Sequence, residues 1–142
     1  MKESIYSVPT GGLATLASGG SYDGPARVVT VDEANVGISR ESNLLLVDMR
    51  EKDDYNQWHI KDAVHFSYIA MRQDKTFPEL LNFRNKAEKY IVIYMGDERQ
   101  GIQVADAIVD RGYENTYLLT GGIEKFLPSY ESLVEGTNVP KL

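Results

Sequence analysis

A six-residue segment in the C-terminal half carries the residue types best suited to chemistry. It consists of Tyr94, Met95, Gly96, Asp97, Glu98 and Arg99, and it joins an apolar run to a helical pattern. Backbone amides at such a strand-to-helix junction can surround a phosphate or sulfur anion. The carboxylates of Asp97 and Glu98 oppose that use, because each like-charge contact at about 4 Å would cost roughly 4 kcal/mol near the surface before screening. The segment therefore predicts an anion-binding backbone that presents an acidic mouth.

Asp48 ends another apolar run and is the best-placed alternative nucleophile. One hypothesis makes it the acceptor in a phosphoryl transfer assisted by Arg99, since aspartyl phosphates form on α/β sheets. The other makes Asp48 and Arg50 structural, orienting the loop through hydrogen bonds and an ion pair, and we favour this second hypothesis. His59 has the side chain of a general base, but we expect it to cap or pack after a short acidic helix.

Metal and cofactor sites have little support in the sequence. His65 has no further ligand at metal-binding spacing, and Asp97 with Glu98 lacks the additional oxygen ligands that a hard cation requires. The chain contains no cysteine, which excludes disulfides, thiolate zinc sites, iron–sulfur clusters and cysteine nucleophiles. We therefore expect neither a metal nor a cofactor.

The composition is typical of one soluble domain. The chain has 142 residues, of which 42% are hydrophobic and 25% charged. Acidic residues outnumber basic ones 21 to 15, and the resulting formal charge of −6 repels nucleic acid. Apolar runs such as residues 44–47 and 90–95 are far shorter than the about 20 residues of a membrane span. We expect a cytoplasmic protein without a nucleic-acid or membrane partner.

Hydrophobic patterning predicts strands that alternate with helices. Strands are expected at Arg27–Val31, Leu44–Asp48, Ala63–Phe66, Tyr90–Tyr94 and Thr116–Leu119, and helices at Glu51–Trp58, Glu79–Ala87, Arg99–Arg111 and from Ile123 to Phe126. A further short helix, capped by Thr30 or Asp32, would carry Ala34, Val36 and Ile38. This alternation indicates an α/β domain with a mostly parallel sheet. Residues 26–130 form the expected domain, between a flexible Gly- and Ser-rich extension at 1–25 and a C-terminal tail at 131–142.

Two segments resemble the signatures of rhodanese-like domains. The opening signature matches LLLVDMREKDDYNQWHIKDAVHFSY at Asp48, Arg50, Asp54, Tyr55, His59, Ile60 and Ala63. The closing signature matches RGYENTYLLTGGI at Gly112, Tyr113, Asn115, Tyr117, Leu119, Gly121 and Gly122. The resemblance spans residues 27–128 and implies a three-layer α/β fold with a central, mostly parallel five-stranded sheet and helices on both faces. Asp48, Arg50, His59, Gly121 and Gly122 are its structural and binding signature.

Within the family, the YMGDERQG loop and the segment before it resemble a subfamily found at centrosomes, basal bodies and cilia. That likeness implies that the protein localises to the cytoskeleton, at the centrosome or the ciliary basal body. It also implies membership of a longer protein.

Active family members carry a nucleophilic cysteine at the first loop position, where either Tyr94 or Met95 stands in this chain. Neither a phenol nor a thioether can carry a persulfide. The resemblance and the missing cysteine together exclude sulfur transfer and the related cysteine phosphatase and arsenate reductase chemistries.

Three functions remain open. The leading hypothesis is a non-catalytic module, a monomer or weak dimer, whose acidic loop binds a protein partner with a basic segment. The second is an enzyme of non-cysteine chemistry, using phosphoryl or anion transfer in a pocket walled by Arg50 and Arg99. The third is a domain that supports folding or dimerisation of a longer protein.

Overall fold

A parallel sheet built from short aliphatic runs organises the molecule. The computed structural model describes residues 6–7, 14–15, 21–22, 27–31, 44–86 and 89–141. The strands are β1 (Tyr6–Ser7), β2 (Ala14–Thr15), β3 (Ser21–Tyr22), β4 (Arg27–Val31), β5 (Leu44–Asp48), β6 (Trp58–Ile60), β7 (Val64–His65), β8 (Tyr90–Tyr94), β9 (Thr116–Leu119) and β10 (Val134–Gly136). The helices are α1 (Lys52–Gln57), α2 (Tyr68–Arg72), α3 (Pro78–Asn82), α4 (Glu98–Asp110) and α5 (Gly122–Ser129), followed by a 3-10 turn at Glu131–Leu133.

The main sheet has the strand order β1-β4-β9-β8-β5-β7. Strands β4, β9, β8, β5 and β7 run parallel to one another, and β1 adds an antiparallel edge beside β4. The predicted α/β fold with a mostly parallel sheet is therefore confirmed. Two smaller pairs, β2 with β3 and β6 with β10, are both antiparallel.

Alternating side chains of the central strands form two separate cores. Ile91 and Ile93 of β8 pack on one face with Ala105 and Ile108 of α4. Val92 lies on the opposite face with Phe126 of α5. Burial on both faces explains why these strands read as continuous apolar runs.

Two helix ends differ from the predictions, and a long-range hydrogen bond explains one of them. Trp58 begins β6 with an extended backbone, whereas the sequence placed it in the preceding helix. Helix α3 ends at Asn82, well before Ala87, which lies outside the described residues. Asn85 follows with a φ of 49°, and its amide group donates to the Gly112 carbonyl at 2.6 Å. This tertiary contact holds the chain in a turn where helical spacing would continue.

Helix α2 was not predicted, although a sequence signal for it exists. The Ser67 hydroxyl accepts a hydrogen bond from the Ala70 amide at 3.1 Å, which is the usual N-cap arrangement. The expected helix carrying Ala34, Val36 and Ile38 lies outside the described residues.

The segments on both sides of the expected domain contain strands that pair with strands of that domain. The predicted tail at 131–142 contains β10, whose Val134 is buried and pairs opposite Ile60 of β6. The predicted flexible extension at 1–25 contains β1, β2 and β3, of which β1 pairs with β4. Among the described helices, none is both long enough and apolar enough to cross a membrane.

Candidate functional site

The predicted loop lies at the C-terminal edge of the central strands. Strand β8 ends at Tyr94 and α4 begins at Glu98, while the neighbouring strand β5 ends at Asp48. Ligands of parallel sheets bind at this edge, where helix N-termini and loops converge. The topology therefore brings the two sequence-predicted groups, around Asp48 and around the loop, to one place.

Asp48 is the centre of a buried hydrogen-bond cluster. Its Oδ1 accepts from the Arg50 amide at 3.0 Å and from Arg50 Nε at 3.1 Å. Its Oδ2 accepts from Arg50 Nη2 at 2.9 Å and from the Tyr94 hydroxyl at 2.7 Å. The Tyr94 hydroxyl in turn accepts from the Ile60 amide at 3.2 Å. With an exposed fraction of 0%, Asp48 has no free face for a substrate.

The ionisation of this cluster follows from its burial. Desolvation lowers the pKa of Arg50, but the hydrogen bond and charge of Asp48 outweigh it and leave the pKa raised. Burial raises the pKa of Tyr94 well above the usual tyrosine value, and Asp48 acts in the same direction. Tyr94 is therefore neutral and Arg50 charged at physiological pH, which is the arrangement of a structural ion pair.

The two loop carboxylates bond to backbone amides of the protein itself. Asp97 is the N-cap of α4 and accepts from the Gln100 amide at 2.9 Å. Glu98 turns inward, is buried, and accepts from the Gly121 amide at 3.0 Å. The expectation that both residues form an acidic mouth is thus wrong for Glu98. Its charge-assisted bond to Gly121 offsets the cost of removing a carboxylate from water.

The paired glycines bring α5 against the loop. Gly121 and Gly122 have φ values of 79° and 64°, a region that glycine enters without steric cost. The Ile123 amide then donates to the Met95 carbonyl and the Glu124 amide to the Gly96 carbonyl, each at 3.1 Å. The loop is therefore held by the first turn of α5.

Two cavities, each of about 410 Å³, adjoin this loop. The first, which we call the Met95 cavity, is lined by Arg50, Glu51, Asp54, Trp58, Tyr68, Met95, Gly96, Gln100, Ile123 and Glu124. The second is lined by Asp97, Glu98, Arg99, Ile102, Gly121, Glu124 and Lys125. Met95 is thus among the residues that line a cavity, whereas the Tyr94 side chain is directed to the buried Asp48 cluster.

The two cavities separate residues that the enzyme hypothesis needs together. Arg50 lines the Met95 cavity and Arg99 lines the second one. The expected pocket walled by both arginines does not form. Arg50 is also neutralised by Asp48, so the Met95 cavity offers no unpaired positive charge to an anion.

His59 and His65 both serve packing roles. His59 stacks on Tyr55 at a ring distance of 3.9 Å, and its Nδ1 donates to the Tyr55 carbonyl at 2.8 Å. Its Nε2 lies 3.2 Å from Glu135 of β10. His65 Nε2 donates to the Arg50 carbonyl at 2.8 Å. Within the described ranges, no group of three or more His, Asp or Glu side chains could hold a metal ion.

Four cavity residues escaped the sequence reasoning: Glu51, Tyr68, Gln100 and Glu124. They come from four segments, and only the fold brings them together. The double glycine at the start of α5 was a usable signal for Glu124, because it places the first turn of that helix against the loop.

The family follows from a direct comparison. A family model described as a rhodanese-like domain matches residues 30–128. The chain belongs to the rhodanese-like domain family. Similar solved structures include Ygr203w of Saccharomyces cerevisiae, described as a homologue of single-domain rhodanese and of the Cdc25 phosphatase catalytic domain. It has a TM-score of 0.52 and 22% identity, over 68% of this chain and 74% of that one.

The BH2092 protein of Bacillus halodurans is similar at a TM-score of 0.50 and 25% identity, covering 68% of this rhodanese-like domain chain and 66% of that chain. Among curated proteins, centrosomal protein of 41 kDa from Homo sapiens is 34% identical over 98 residues. The protein of the same name from Gallus gallus is 37% identical over 98 residues. Each alignment covers 66% of this chain and 26% of the relative, so the chain spans about a quarter of the curated relatives' length.

Proposed function

We propose that this rhodanese-like domain is a non-catalytic protein-interaction module of a centrosomal protein. One observation carries the proposal: in a chain without cysteine, Asp97 and Glu98 bond to the Gln100 and Gly121 amides at the former catalytic loop. A carboxylate held at a helix N-terminus takes the position that an anionic substrate would otherwise use. The scaffold is retained, the chain has no cysteine nucleophile, and two carboxylates occupy amides at and beside the start of α4.

Met95 supports the same reading. This buried residue is among those that line the cavity next to the loop, where a nucleophile would meet substrate. A thioether has no ionisable proton and does not act as a reversible sulfur carrier. Asp48 offers no replacement, because Arg50 and Tyr94 already occupy both of its oxygens.

The proposed localisation to the centrosome rests on the named relatives, which are centrosomal proteins of 41 kDa. We expect the full-length protein, carrying a fluorescent tag, to concentrate at centrosomes marked by a centriolar protein. A uniform cytoplasmic distribution would contradict this part of the proposal.

The catalytic part is tested by adding back a thiol. Wild type and Met95→Cys are assayed for thiosulfate:cyanide sulfurtransferase and for aryl phosphatase activity. We expect no turnover above background from either protein, because Asp97 and Glu98 keep two carboxylates at the loop and Arg50, the basic residue of the Met95 cavity, is paired with Asp48.

Folding of Met95→Cys is checked by circular dichroism, and thiol titration verifies that its single cysteine reacts. Turnover by wild type would overturn the proposal outright. Turnover by Met95→Cys would show that the loop still stabilises an anion, which contradicts the role given to Asp97 and Glu98.

A further inference from the structure

We infer that the Met95 cavity binds one arginine side chain from a basic segment of a partner protein. The inference rests on the proposed interaction function and names its ligand. It concerns a cavity at the position where the fold places ligands, between α1, the loop and the start of α5.

The size and the apolar lining residues of the cavity suit a side chain. Its volume of about 410 Å³ lies within the usual range for ligand pockets. Its lining includes the buried residues Met95 and Ile123 and the half-buried aromatic residues Trp58 and Tyr68. These groups can cover the aliphatic stem of an entering residue.

The charges of the cavity select a cation. Glu51 and Asp54 line one side and Glu124 lines the other, and all three residues are exposed. Among the described ion pairs, none involves these three carboxylates. Arg50 is the sole basic residue in the lining, and Asp48 neutralises it. A phosphate or sulfate would therefore be repelled, whereas a basic side chain would be attracted.

The aromatic and acidic lining of the cavity favours arginine over lysine. A guanidinium group is planar and presents five donors, so it can bond to carboxylates on two sides while stacking on an aromatic ring. The chain itself already places guanidinium groups on these rings. Arg50 lies 5.4 Å from the Trp58 ring centroid, and Arg72 lies 5.4 Å from that of Tyr68.

The test uses short peptides and the intact chain. The ¹⁵N-labelled protein is titrated with acetyl-Gly-Gly-Arg-Gly-Gly-amide, and the same peptide is made with lysine and with citrulline. We expect saturable shifts of the Gly96, Gln100 and Glu124 amides and of the Trp58 indole N–H. The lysine peptide should bind several-fold more weakly, and the uncharged citrulline peptide should cause no shift.

A matched pair of triple variants separates the cavity from the general negative charge. Glu51→Gln, Asp54→Asn and Glu124→Gln remove the cavity carboxylates. Glu79→Gln, Asp110→Asn and Glu114→Gln remove three exposed carboxylates elsewhere. The first set should weaken arginine-peptide binding at least about tenfold, as expected for the loss of a charge-assisted hydrogen bond. The second set should change it less than about twofold, the range of a screened long-range effect.

Equal weakening in both triple variants, equal binding of the citrulline peptide, or shifts confined to other surfaces would overturn the inference. Thermal melts of both variants establish that they are folded before they are compared. Failure of this inference is distinct from failure of the proposed function. Absent peptide binding leaves the sulfurtransferase result untouched, and turnover in that assay removes the non-catalytic assignment whatever the peptide does.

Discussion

At the scale of single residues, Tyr94 shows how the chain uses the position next to the lost nucleophile. Its buried hydroxyl donates to Asp48 and accepts from the Ile60 amide. The phenol therefore links β5, β8 and β6 through two hydrogen bonds. Burial of all the groups involved makes each unmet hydrogen bond costly. The residue is part of the support beneath the loop and does not face either loop cavity.

Tyr94→Phe tests this support. The variant leaves the buried Ile60 amide without its acceptor and Asp48 without one donor. We expect a loss of about 1–3 kcal/mol in the free energy of unfolding, measured by urea denaturation at neutral pH. Tyr90→Phe on the same strand is the control, since its ring is half-buried and lies outside this cluster. Equal effects of the two substitutions would refute the role given to the Tyr94 hydroxyl.

At the scale of elements, the contact between the Gly121-Gly122 turn and the loop fixes the position of α5 against that loop. It carries the Glu98 bond to Gly121 and the two bonds from the first turn of α5 to the loop carbonyls. A side chain at Gly122 would place its Cβ 2.7 Å from the Gly96 carbonyl oxygen and 2.9 Å from the Cα of Asp97. Only a residue without a side chain permits this approach. The φ of 64° at Gly122 also favours glycine, because other residues rarely adopt this left-handed conformation.

Gly122→Ala should therefore destabilise the protein by more than about 2 kcal/mol, because backbone strain and steric overlap act together. Gly96→Ala is the matched control on the other side of the same contact. A Cβ at Gly96 would meet only Gln100 and Glu124 side-chain atoms, at 3.6 and 3.8 Å. Melting temperatures of the two variants give the comparison, and a Gly96→Ala loss as large as that of Gly122→Ala would contradict the argument.

At the scale of the whole molecule, β10 closes the second core. It pairs with β6, buries Val134, and places Glu135 beside His59. The Lys61 amide adds a bond of 2.8 Å to the Leu133 carbonyl. The segment thus covers β6, whose residue Trp58 lines the Met95 cavity. We therefore expect that loss of β10 changes the shape of the Met95 cavity as well as the stability of the fold.

A chain that ends after Leu133 should lose at least about 1.5–3 kcal/mol of stability, the value of burying one valine side chain. It should also weaken arginine-peptide binding, since Trp58 loses its covering strand. A chain that ends after Pro140 keeps β10 and serves as the control. Unchanged unfolding of the shorter chain in urea would show that β10 contributes nothing to the core.

Local patterns in the sequence were sufficient to predict the bounds of three central strands. The apolar runs at Leu44–Asp48, Tyr90–Tyr94 and Thr116–Leu119 appear in the structure with the same bounds. Patterns failed where long-range contacts set the backbone, as when Asn85 bonds to Gly112 after α3 or when β10 pairs with β6. Such contacts join residues far apart in the chain, so no local periodicity reports them.

For the candidate site too, the sequence determined some features and only the fold determined the others. Absence of cysteine, a property of composition alone, already excluded thiol chemistry, and the two signatures indicated the fold. Only the tertiary structure decided that Glu98 turns inward to Gly121, that Arg50 and Arg99 face different cavities, and that Glu51 and Glu124 share one. The physical reason is that a side chain's charge is a property of its type, whereas its direction and partners depend on segments that only folding brings together.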